Sequence, residues 1–435
     1  MQLLPGFREF YPEDCARRNY ILTHWREVAR RYGFVEYDGP TVEPLALYEK
    51  KSGGELVGQL FTVGTMGRDQ AEKGAEPDIK RALRPEMTPT LARMVASRGR
   101  DFKKPLKWFC VPQFFRHERQ QRGRLREFYQ LNCDILGEAS PSADAELVAI
   151  AIDMMRVFGF GESDFKVRLS SRTAWQQYFA VNARKTDGSA LTADDEYEFF
   201  QVVDKAERNP PEKTDAALEK FGINATGVLA FMRSKEPTAE IAPILADLQA
   251  RGLGAYVEID YAIVRGLAYY TGVVFEIFDR KLDERALAGG GRYDKLLGLM
   301  SDGKVEMPAL GFGMGDVVLA NFIGDNAAAK TRMEEWIARQ HAADVYVVVA
   351  KEERRSEALA IVQKLREAGQ RVDFPLVGGK VGKQFQAAEQ LGARYAVLVG
   401  DEWPQVKVKT LATREEMVVG SEDVLRHLTG PTAGS

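Results

Sequence analysis

Residues 115–136 read FRHERQQRGRLREFYQLNCDIL, and this stretch carries the clearest structural signal in the chain. Its first half is a polar loop, 116–126, that contains five arginines. The pattern predicts a strand on each side of the loop, over 108–115 and 127–136. Like charges that are crowded into a hairpin repel one another, so a loop of this composition usually binds an anion.

The predicted second strand, 127–136, has two chemically different faces because successive side chains alternate across a strand. Phe128, Gln130, Asn132 and Asp134 share one face, which is rich in hydrogen-bonding groups, and the other face is apolar. A polar strand face beside an arginine-rich loop is typical of the floor of a pocket for a charged ligand. An ordinary solvated hairpin would have the same pattern, and the residues alone leave both interpretations open.

Two long helices are predicted around this hairpin. The first covers 12–31, because Pro12 suits a first helical position and Gly33 follows the last turn of apolar periodicity. The second covers 146–158 and is apolar enough to be a core helix.

The rest of the chain predicts three further regions. Helical periodicity with charged faces, between strand patterns, predicts a helical insertion at about 173–252. The three glycines at 289–291 predict a turn into a helix, and a small polar stretch predicts a linker at 326–342. Strands and helices alternate over 343–435, which predicts a small α/β domain.

Composition excludes several classes of protein. The chain has 435 residues and 45% hydrophobic residues, which predicts a globular protein of about three domains. The longest apolar runs, 147–152 and 345–350, are far shorter than the ~18 residues of a spanning helix, and no signal peptide is predicted. Three cysteines and four histidines are too scattered for a zinc site and suit reduced thiols, so we expect a cytoplasmic protein without a membrane segment.

The net charge of −3 argues against a surface that binds polyanions throughout, but a local basic stripe remains compatible with nucleic acid. Two glycine-rich segments resemble nucleotide-binding loops and lack the decisive residues. Residues 378–384 have the wrong spacing for a P-loop, and residues 311–316 lack the third glycine of a dinucleotide fingerprint. We interpret both as loops that lead into helices.

Several blocks occur in the order found in one known family. Residues 115–130 resemble motif 2 of the class II aminoacyl-tRNA synthetases. Residues 265–272 (RGLAYYTG) and 289–294 (GGGRYD) resemble the two histidine-specific blocks of the histidyl-tRNA synthetases. The resemblance covers nearly the whole chain and is weakest in the predicted insertion. Three other blocks agree with it: 33–43 resembles motif 1, 83–89 the amino-acid and ATP contact strip, and 380–395 the anticodon-binding domain.

The resemblance implies a protein of two parts. Residues 1–325 would form an α+β catalytic domain, built as a class II antiparallel sheet with helices and interrupted by the helical insertion. After the linker, residues 343–435 would form an α/β anticodon-binding domain. The proline of motif 1, Pro40 here, lies at the dimer interface in the family, so the resemblance also implies a homodimer.

The implied reaction has two steps and uses ATP and Mg²⁺. L-histidine attacks the α-phosphorus of ATP to give histidyl-adenylate and pyrophosphate, and the adenylate then acylates the histidine tRNA and releases AMP. Negative charge builds up around phosphorus, so fixed cations are the main catalytic need. The catalytic cations implied are Arg116 and Arg265; the histidine-binding residues are Glu86, Thr88, Arg116, Gln130, Asp134, Arg265, Tyr269, Tyr270 and Tyr293; the ATP-binding residues are Arg116, Arg124 and Phe128; no Mg²⁺ ligand is identified.

The sequence departs from the family pattern in three places. Motif 3 usually reads Gly-x-Glu-Arg, but Val318 stands where the ATP-contacting arginine belongs, and we expect Arg119 or Arg124 to compensate. In addition, Ala268 replaces an aspartate and Asp134 replaces a glutamate.

These departures leave other interpretations open. A catalytically impaired paralogue is one, and a regulatory subunit of ATP phosphoribosyltransferase is another. That subunit typically lacks the C-terminal domain and the charged motif 2 loop, both of which the sequence contains. A class II synthetase for glycine or threonine would leave the block 265–272 unexplained.

Overall fold

The structure is a computed structural model that describes residues 2–49, 58–65, 78–119, 121–186, 188–206, 209–264, 270–281, 285–340 and 342–428. The chain divides into two compact units, Met1–Met333 and Glu334–Ser435. Within the ranges given above, no helix combines the length and the apolar character needed to cross a membrane.

The first unit contains both helices and strands. Its helices are α1 (Pro12–Arg31), α2 (Leu45–Glu49), α3 (Thr88–Arg98), α4 (Pro141–Arg156), α5 (Arg172–Asn182), α6 (Ala193–Val203), α7 (Pro211–Leu218), α8 (Ala225–Arg233), α9 (Ala242–Ala250), α10 (Leu296–Met300) and α11 (Asp316–Asp325). Its strands are β1 (Val35–Glu36), β2 (Val42–Pro44), β3 (Thr62–Thr65), β4 (Asp78–Leu83), β5 (Leu106–Cys110), β6 (Gln113–Phe115), β7 (Glu127–Leu136), β8 (Phe165–Ser171), β9 (Val257–Ile259), β10 (Val273–Asp279), β11 (Ala288–Arg292) and β12 (Ala309–Gly315).

The main sheet has the strand order β1-β5-β7-β12-β11-β10-β8-β9, and β6 pairs with β7. All pairs between β5 and β8 in this order are antiparallel, and the outer pairs β1–β5 and β8–β9 are parallel. A small antiparallel sheet has the order β2-β4-β3. A largely antiparallel sheet with helices confirms the predicted α+β class.

The helix predicted over 12–31 and the strand predicted over 127–136 have the predicted bounds, as α1 and β7. The strand predicted over 108–115 is divided into β5 and β6 at Pro112. Proline has no N–H with which to continue a ladder, so the pairing is interrupted there. The core helix predicted over 146–158 is α4, which begins five residues earlier, at Pro141, and ends at Arg156.

The glycines at 289–291 lie inside strand β11, so the predicted turn is wrong. Gly290 is paired on both sides, with Phe275 on β10 and Phe312 on β12. A Cβ atom on Gly290 would lie 2.3 Å from the carbonyl oxygen of Gly311, a distance that real Cβ atoms do not reach. The neighbouring strands impose this need for glycine, and a local sequence pattern does not show which strands become neighbours.

The stretch predicted as a helical insertion, 173–252, is occupied by helices α5 to α9, which lie between β8 and β9 in the chain. The side chain of Trp175 on α5 is fully buried, and its indole N–H donates to the carbonyl oxygen of Tyr261 at 2.9 Å. Aromatic side chains of these helices, among them Phe199 on α6 and Phe231 on α8, pack around Trp175.

The predicted linker, 326–342, is largely helical. Helix α12 spans Ala327–Ala338. Asn326 precedes it, and its Oδ1 accepts a hydrogen bond from the Ala329 N–H at 3.0 Å, as an N-cap residue does. Alanine has the highest helix propensity, so the run of three alanines after Asn326 favours a helix over an extended linker. The division between the two units falls inside α12.

The second unit has a five-stranded sheet of order β14-β13-β15-β16-β17 among its described residues. Strands β14, β13 and β15 are parallel, and β16 and β17 continue the sheet antiparallel. This confirms the predicted α/β character, although the last strand and the last helix were not predicted. The elements are β13 (Val345–Val349), α13 (Arg355–Glu367), β14 (Val372–Asp373), α14 (Val381–Gln390), β15 (Tyr395–Val399), β16 (Gln405–Thr410), β17 (Glu416–Gly420) and α15 (Val424–Leu428).

Candidate active site

A cavity of about 650 Å³ lies on one face of the main sheet. Strands β7, β10, β11 and β12 provide its floor. The loop 116–126 and the connection between β10 and β11 provide its walls. The residues that line it are Arg116, Glu118, Gly123, Arg124, Leu125, Phe128, Gln130, Glu276, Phe278, Arg285, Ala286, Leu287, Ala288, Gly289, Gly313, Gly315, Val317 and Val318.

Glycines on β12 make room for the polar side chains of β7. The pairing of the two strands places Gly311 opposite Asp134 and Gly315 opposite Gln130. A Cβ atom on Gly311 would lie 2.0 Å from Asp134 Oδ1, and one on Gly313 would lie 2.9 Å from Gln130 Nε2. The space that these two side chains occupy therefore exists only because residues 311 and 313 are glycines.

The role of these glycines was missed in the sequence, where 311–316 was interpreted as a loop that leads into a helix. The segment is instead strand β12 followed by the first residue of α11. One signal could have revealed it, because residues 311–315 read GFGMG and place glycine at every second position. An alternation with period two is typical of a strand, and here it produces a face without side chains.

Arg116 follows β6, and its guanidinium is held in place from two sides. Its Nε donates to the carbonyl oxygen of Pro85 at 2.9 Å, and its Cζ lies 5.2 Å from the centre of the Phe128 ring. Its Nη1 lies 3.9 Å from Glu118 Oε1. The side chain is 27% exposed, so its charge is both oriented and accessible. A guanidinium of this kind can bind a phosphate or a carboxylate with its planar fork.

Arg124 approaches the same cavity from the tip of the loop. Its Nη1 lies 2.6 Å from Glu118 Oε2, so Glu118 is an acid that both arginines face. The three residues predicted to bind ATP, Arg116, Arg124 and Phe128, therefore line one cavity. Arg119, the other arginine expected to compensate for Val318, is not among the lining residues.

A second group of predicted residues is buried in the core beside the sheet. The Tyr293 hydroxyl donates a hydrogen bond to Asp134 Oδ1, and both residues are buried. Tyr270 packs in the same apolar cluster as Tyr293. Because a carboxylate can accept several hydrogen bonds, this pair can also bind an N–H group of a ligand.

Glu86 and Thr88 are half-buried and flank the start of α3. They follow Pro85, whose carbonyl oxygen holds Arg116, so the strip 83–89 lies next to the catalytic cation that the sequence predicted. Arg265 and Tyr269 lie outside the described residues.

The block 289–294 also contains a structural arginine. Arg292 on β11 forms a buried ion pair with Asp144 on α4, with a distance of 3.2 Å between Nε and Oδ1. Its Nη1 also donates to the carbonyl oxygen of Glu138 at 3.2 Å. Arg292 therefore attaches the sheet to α4 and positions the adjacent Tyr293.

The start of α11 contributes one buried acid and two apolar side chains. Asp316 is 3% exposed, accepts a hydrogen bond from the Tyr129 N–H at 2.9 Å and pairs with Arg8 at 2.9 Å. Burial raises the pKa of the Asp316 carboxyl, although Arg8 opposes the shift. Val317 and Val318 line the cavity.

Among the described residues, Glu118 and Glu276 are the acidic side chains that line the cavity. No group of three or more His, Cys, Asp or Glu side chains that could hold a metal ion occurs in the part of the chain that the structure describes. Any metal ion in this cavity would therefore need further ligands from a bound molecule or from water.

Comparison with known proteins matches both units of the chain. The family model described as histidyl-tRNA synthetase matches residues 6–315, and the one described as anticodon binding domain matches residues 344–429. The chain is 40% identical to the histidine–tRNA ligase of Opitutus terrae over 97% of each protein, and 33% identical to that of Leptospira biflexa over 97% of this chain and 96% of the relative. Its fold is similar to the crystal structure of histidyl-tRNA synthetase from Nostoc sp. PCC 7120, with a TM-score of 0.73 and 23% identity over 98% of each chain.

Proposed function

The chain belongs to the histidyl-tRNA synthetase family, and from this we infer that it ligates L-histidine to histidine tRNA in a reaction driven by ATP. One structural observation supports this function in addition to the family membership. A single sheet face holds an arginine-lined cavity suited to a nucleotide, and strand β7 on that face leads to a buried carboxylate–tyrosine pair suited to a small polar side chain.

We propose that Arg116 binds the α-phosphate of ATP and the carboxylate of histidine together. A carboxylate oxygen attacks the α-phosphorus, a new P–O bond forms, and pyrophosphate leaves with the electron pair of the bond that breaks. A guanidinium held by the Pro85 carbonyl and the Phe128 ring needs little reorganisation as charge develops there. The ribose hydroxyl of the tRNA then attacks the carbonyl carbon of the adenylate, and AMP leaves. Arg265 is proposed as the second cation.

Recognition of histidine is proposed to depend on Asp134 and Tyr293. The Asp134 carboxylate is oriented by the Tyr293 hydroxyl, in a buried position where an unpaired polar group is costly. A ligand without an N–H group would give this buried carboxylate one hydrogen bond fewer, which is the physical basis of strong discrimination. The other proposed contacts to histidine are Glu86, Thr88, Gln130, Tyr269 and Tyr270. The other proposed contacts to ATP are Phe128 and Arg124.

Mg²⁺ is proposed as the cofactor of the first step. In phosphate sites this ion keeps several waters and binds phosphate oxygens with only one or two protein carboxylates. The cavity fits that requirement, because the described residues that line it include the two acids Glu118 and Glu276. The ion would neutralise charge on the pyrophosphate group, and a chelator is expected to stop the first step.

Histidine-dependent exchange between ATP and pyrophosphate tests the function directly. We expect exchange with L-histidine, none without an amino acid, and at least about a 10⁴-fold preference over an analogue that lacks the imidazole N–H. Exchange that no amino acid supports would refute the catalytic proposal. The variant Arg265→Ala tests the second cation, and undiminished exchange in this variant would remove Arg265 from its proposed role.

The alternative of a regulatory subunit of ATP phosphoribosyltransferase is less well supported. The anticodon binding domain, which such a subunit typically lacks, matches residues 344–429. The charged motif 2 loop is present and contributes Arg116 and Arg124 to the cavity. A stable complex with ATP phosphoribosyltransferase on co-purification, together with an absence of exchange, would favour this alternative.

The tRNA anticodon is proposed to bind the second unit. Lys380 and Lys383 are exposed at the start of α14 and are candidate phosphate contacts. Loss of the second unit is expected to abolish charging of tRNA more strongly than pyrophosphate exchange. We also place the reaction in the cytoplasm, where the three free cysteines would stay reduced.

A homodimer is proposed through the motif 1 edge of the main sheet. Strand β1 is an edge strand, and Val35 on it is 63% exposed and lies opposite Trp108 on β5. Phe102 is 40% exposed and packs on the Trp108 ring at 5.1 Å between ring centres. Exposed apolar residues at a sheet edge commonly mark an interface. Light scattering is expected to give a mass near twice 48.6 kDa, and a mass of one chain would refute the dimer.

A further inference from the structure

The start of α11 has no charged group to offer a nucleotide. The family pattern places glutamate and arginine at the positions of Val317 and Val318, and both valines line the cavity. The acid beside them, Asp316, is buried and bound to Arg8 and to the Tyr129 N–H. The wall of the cavity at α11 is therefore apolar.

Arg285 lies on the connection between β10 and β11 and lines the same cavity. Its Nη2 donates to Gln121 Oε1 in the loop 116–126, so the guanidinium lies between the two connections that form the cavity walls. Glu118 is already paired with Arg124 and lies near Arg116. Within the described part of the chain, no carboxylate lies within ion-pair distance of Arg285.

The balance of charge in the cavity favours an anion near Arg285. Among the described residues that line the cavity, three carry guanidinium groups, Arg116, Arg124 and Arg285, and two carry carboxylates, Glu118 and Glu276. Partial burial and the positive charge of Arg124 lower the pKa of Arg285, as expected where cations are crowded. A bound polyphosphate would relieve this repulsion and accept several charge-assisted hydrogen bonds.

We propose that Arg285 binds the β- and γ-phosphates of ATP and supplies, from the β10–β11 connection, the charge that the family pattern places at position 318. The inference rests on the proposed function. It differs from the expectation that Arg119 or Arg124 compensates, because Arg119 does not line the cavity and Arg124 is already paired with Glu118.

The test compares Arg285→Ala with Arg280→Ala, in calorimetric titrations with Mg·ATP and in pyrophosphate exchange. Arg280 lies on the same connection, but its Nε donates to the carbonyl oxygen of Glu162, away from the cavity. We expect Arg285→Ala to raise the Kd and KM for ATP by about 10- to 150-fold, the effect of one lost hydrogen bond to a charged group. The KM for histidine should stay unchanged, and Arg280→Ala should resemble the wild type.

A second pair of variants separates direct binding from a role in holding the loop. Gln121→Ala removes the partner of Arg285 and should leave ATP affinity within about 2-fold of the wild type. The double variant Arg285→Ala/Val318→Arg returns a cation to the opposite wall and should recover most of the lost affinity. Recovery by a residue on another element is not expected if Arg285 only stabilises the loop.

The outcomes distinguish this inference from the proposed function. Weaker ATP binding in Arg285→Ala together with recovery through Val318→Arg supports the inference, even if the wild type shows no histidine-dependent exchange and the proposed function fails. Unchanged ATP binding in Arg285→Ala overturns the inference, whether or not the wild type is active. An equal loss of ATP affinity in Gln121→Ala overturns the inference as well, because Arg285 would then act by holding the loop.

Discussion

Arg116→Ala is expected to lower kcat/KM for histidine-dependent pyrophosphate exchange by about 10²- to 10³-fold, the loss typical of a preorganised transition-state donor. The physical reason is the fixed orientation of the guanidinium. Its Nε is used by the Pro85 carbonyl and one of its faces lies toward the Phe128 ring, so the outer nitrogens point to a defined place. Removal of the side chain leaves water where charge develops on the α-phosphate, and water must reorganise.

Two variants make this prediction specific to geometry and position. Arg116→Lys keeps the charge but loses the Nε donor and the planar fork, so it should recover little of the lost activity. Arg122→Ala removes an arginine from the same loop, but Arg122 pairs with Asp325 at 2.7 Å and does not line the cavity. Exchange needs no tRNA, so Arg122→Ala should retain nearly full exchange. Equal losses in Arg116→Ala and Arg122→Ala would show that only the total charge of the loop matters.

The arginine-lined end of the site could be predicted where its signals are local in sequence. The arginine-rich loop and the alternation of β7 are local patterns, and three residues that they indicate, Arg116, Phe128 and Gln130, line one cavity in the structure. Arg285 could not be found in this way, because it is an isolated arginine on a connection. Only the arrangement of β7, β12, β11 and β10 brings it to the loop 116–126.

The glycines at 289–291 and 311–315 are a second example of residues whose role the sequence alone does not reveal. The sequence indicated a turn at 289–291, because three glycines in a row usually mark one. The structure places them in a central strand, where Gly291 on β11 lies opposite Gly311 on β12. Glycine is required at these positions because atoms of the adjacent strands lie close to them. The topology of the sheet determines which strands are adjacent. The glycines at every second position of 311–315 are visible in the sequence. That they make room for side chains of β7 becomes clear only from the pairing of β7 with β12.

Gly311→Ala is expected to raise the KM for histidine by about 10²- to 10³-fold, because the added methyl group would displace the carboxylate that is proposed to recognise histidine. The new Cβ atom would lie 2.0 Å from Asp134 Oδ1 and 3.0 Å from the carbonyl oxygen of Cys133. The backbone oxygen belongs to the strand ladder and cannot move far, so the Asp134 carboxylate must turn away. The hydrogen bond from Tyr293 would then be lost or bent.

Steady-state exchange at saturating ATP measures this effect, and the matched control is Gly315→Ala on the same strand face. A Cβ atom on Gly315 meets nothing within 4 Å, so this variant should leave the KM for histidine near that of the wild type. Overpacking costs about 1–3 kcal/mol of stability, so a thermal scan must show that Gly311→Ala is still folded under the assay conditions. A folded Gly311→Ala protein with an unchanged KM for histidine would place the substrate away from Asp134, whereas a rise in that KM without a change in the KM for ATP would assign Asp134 to histidine recognition.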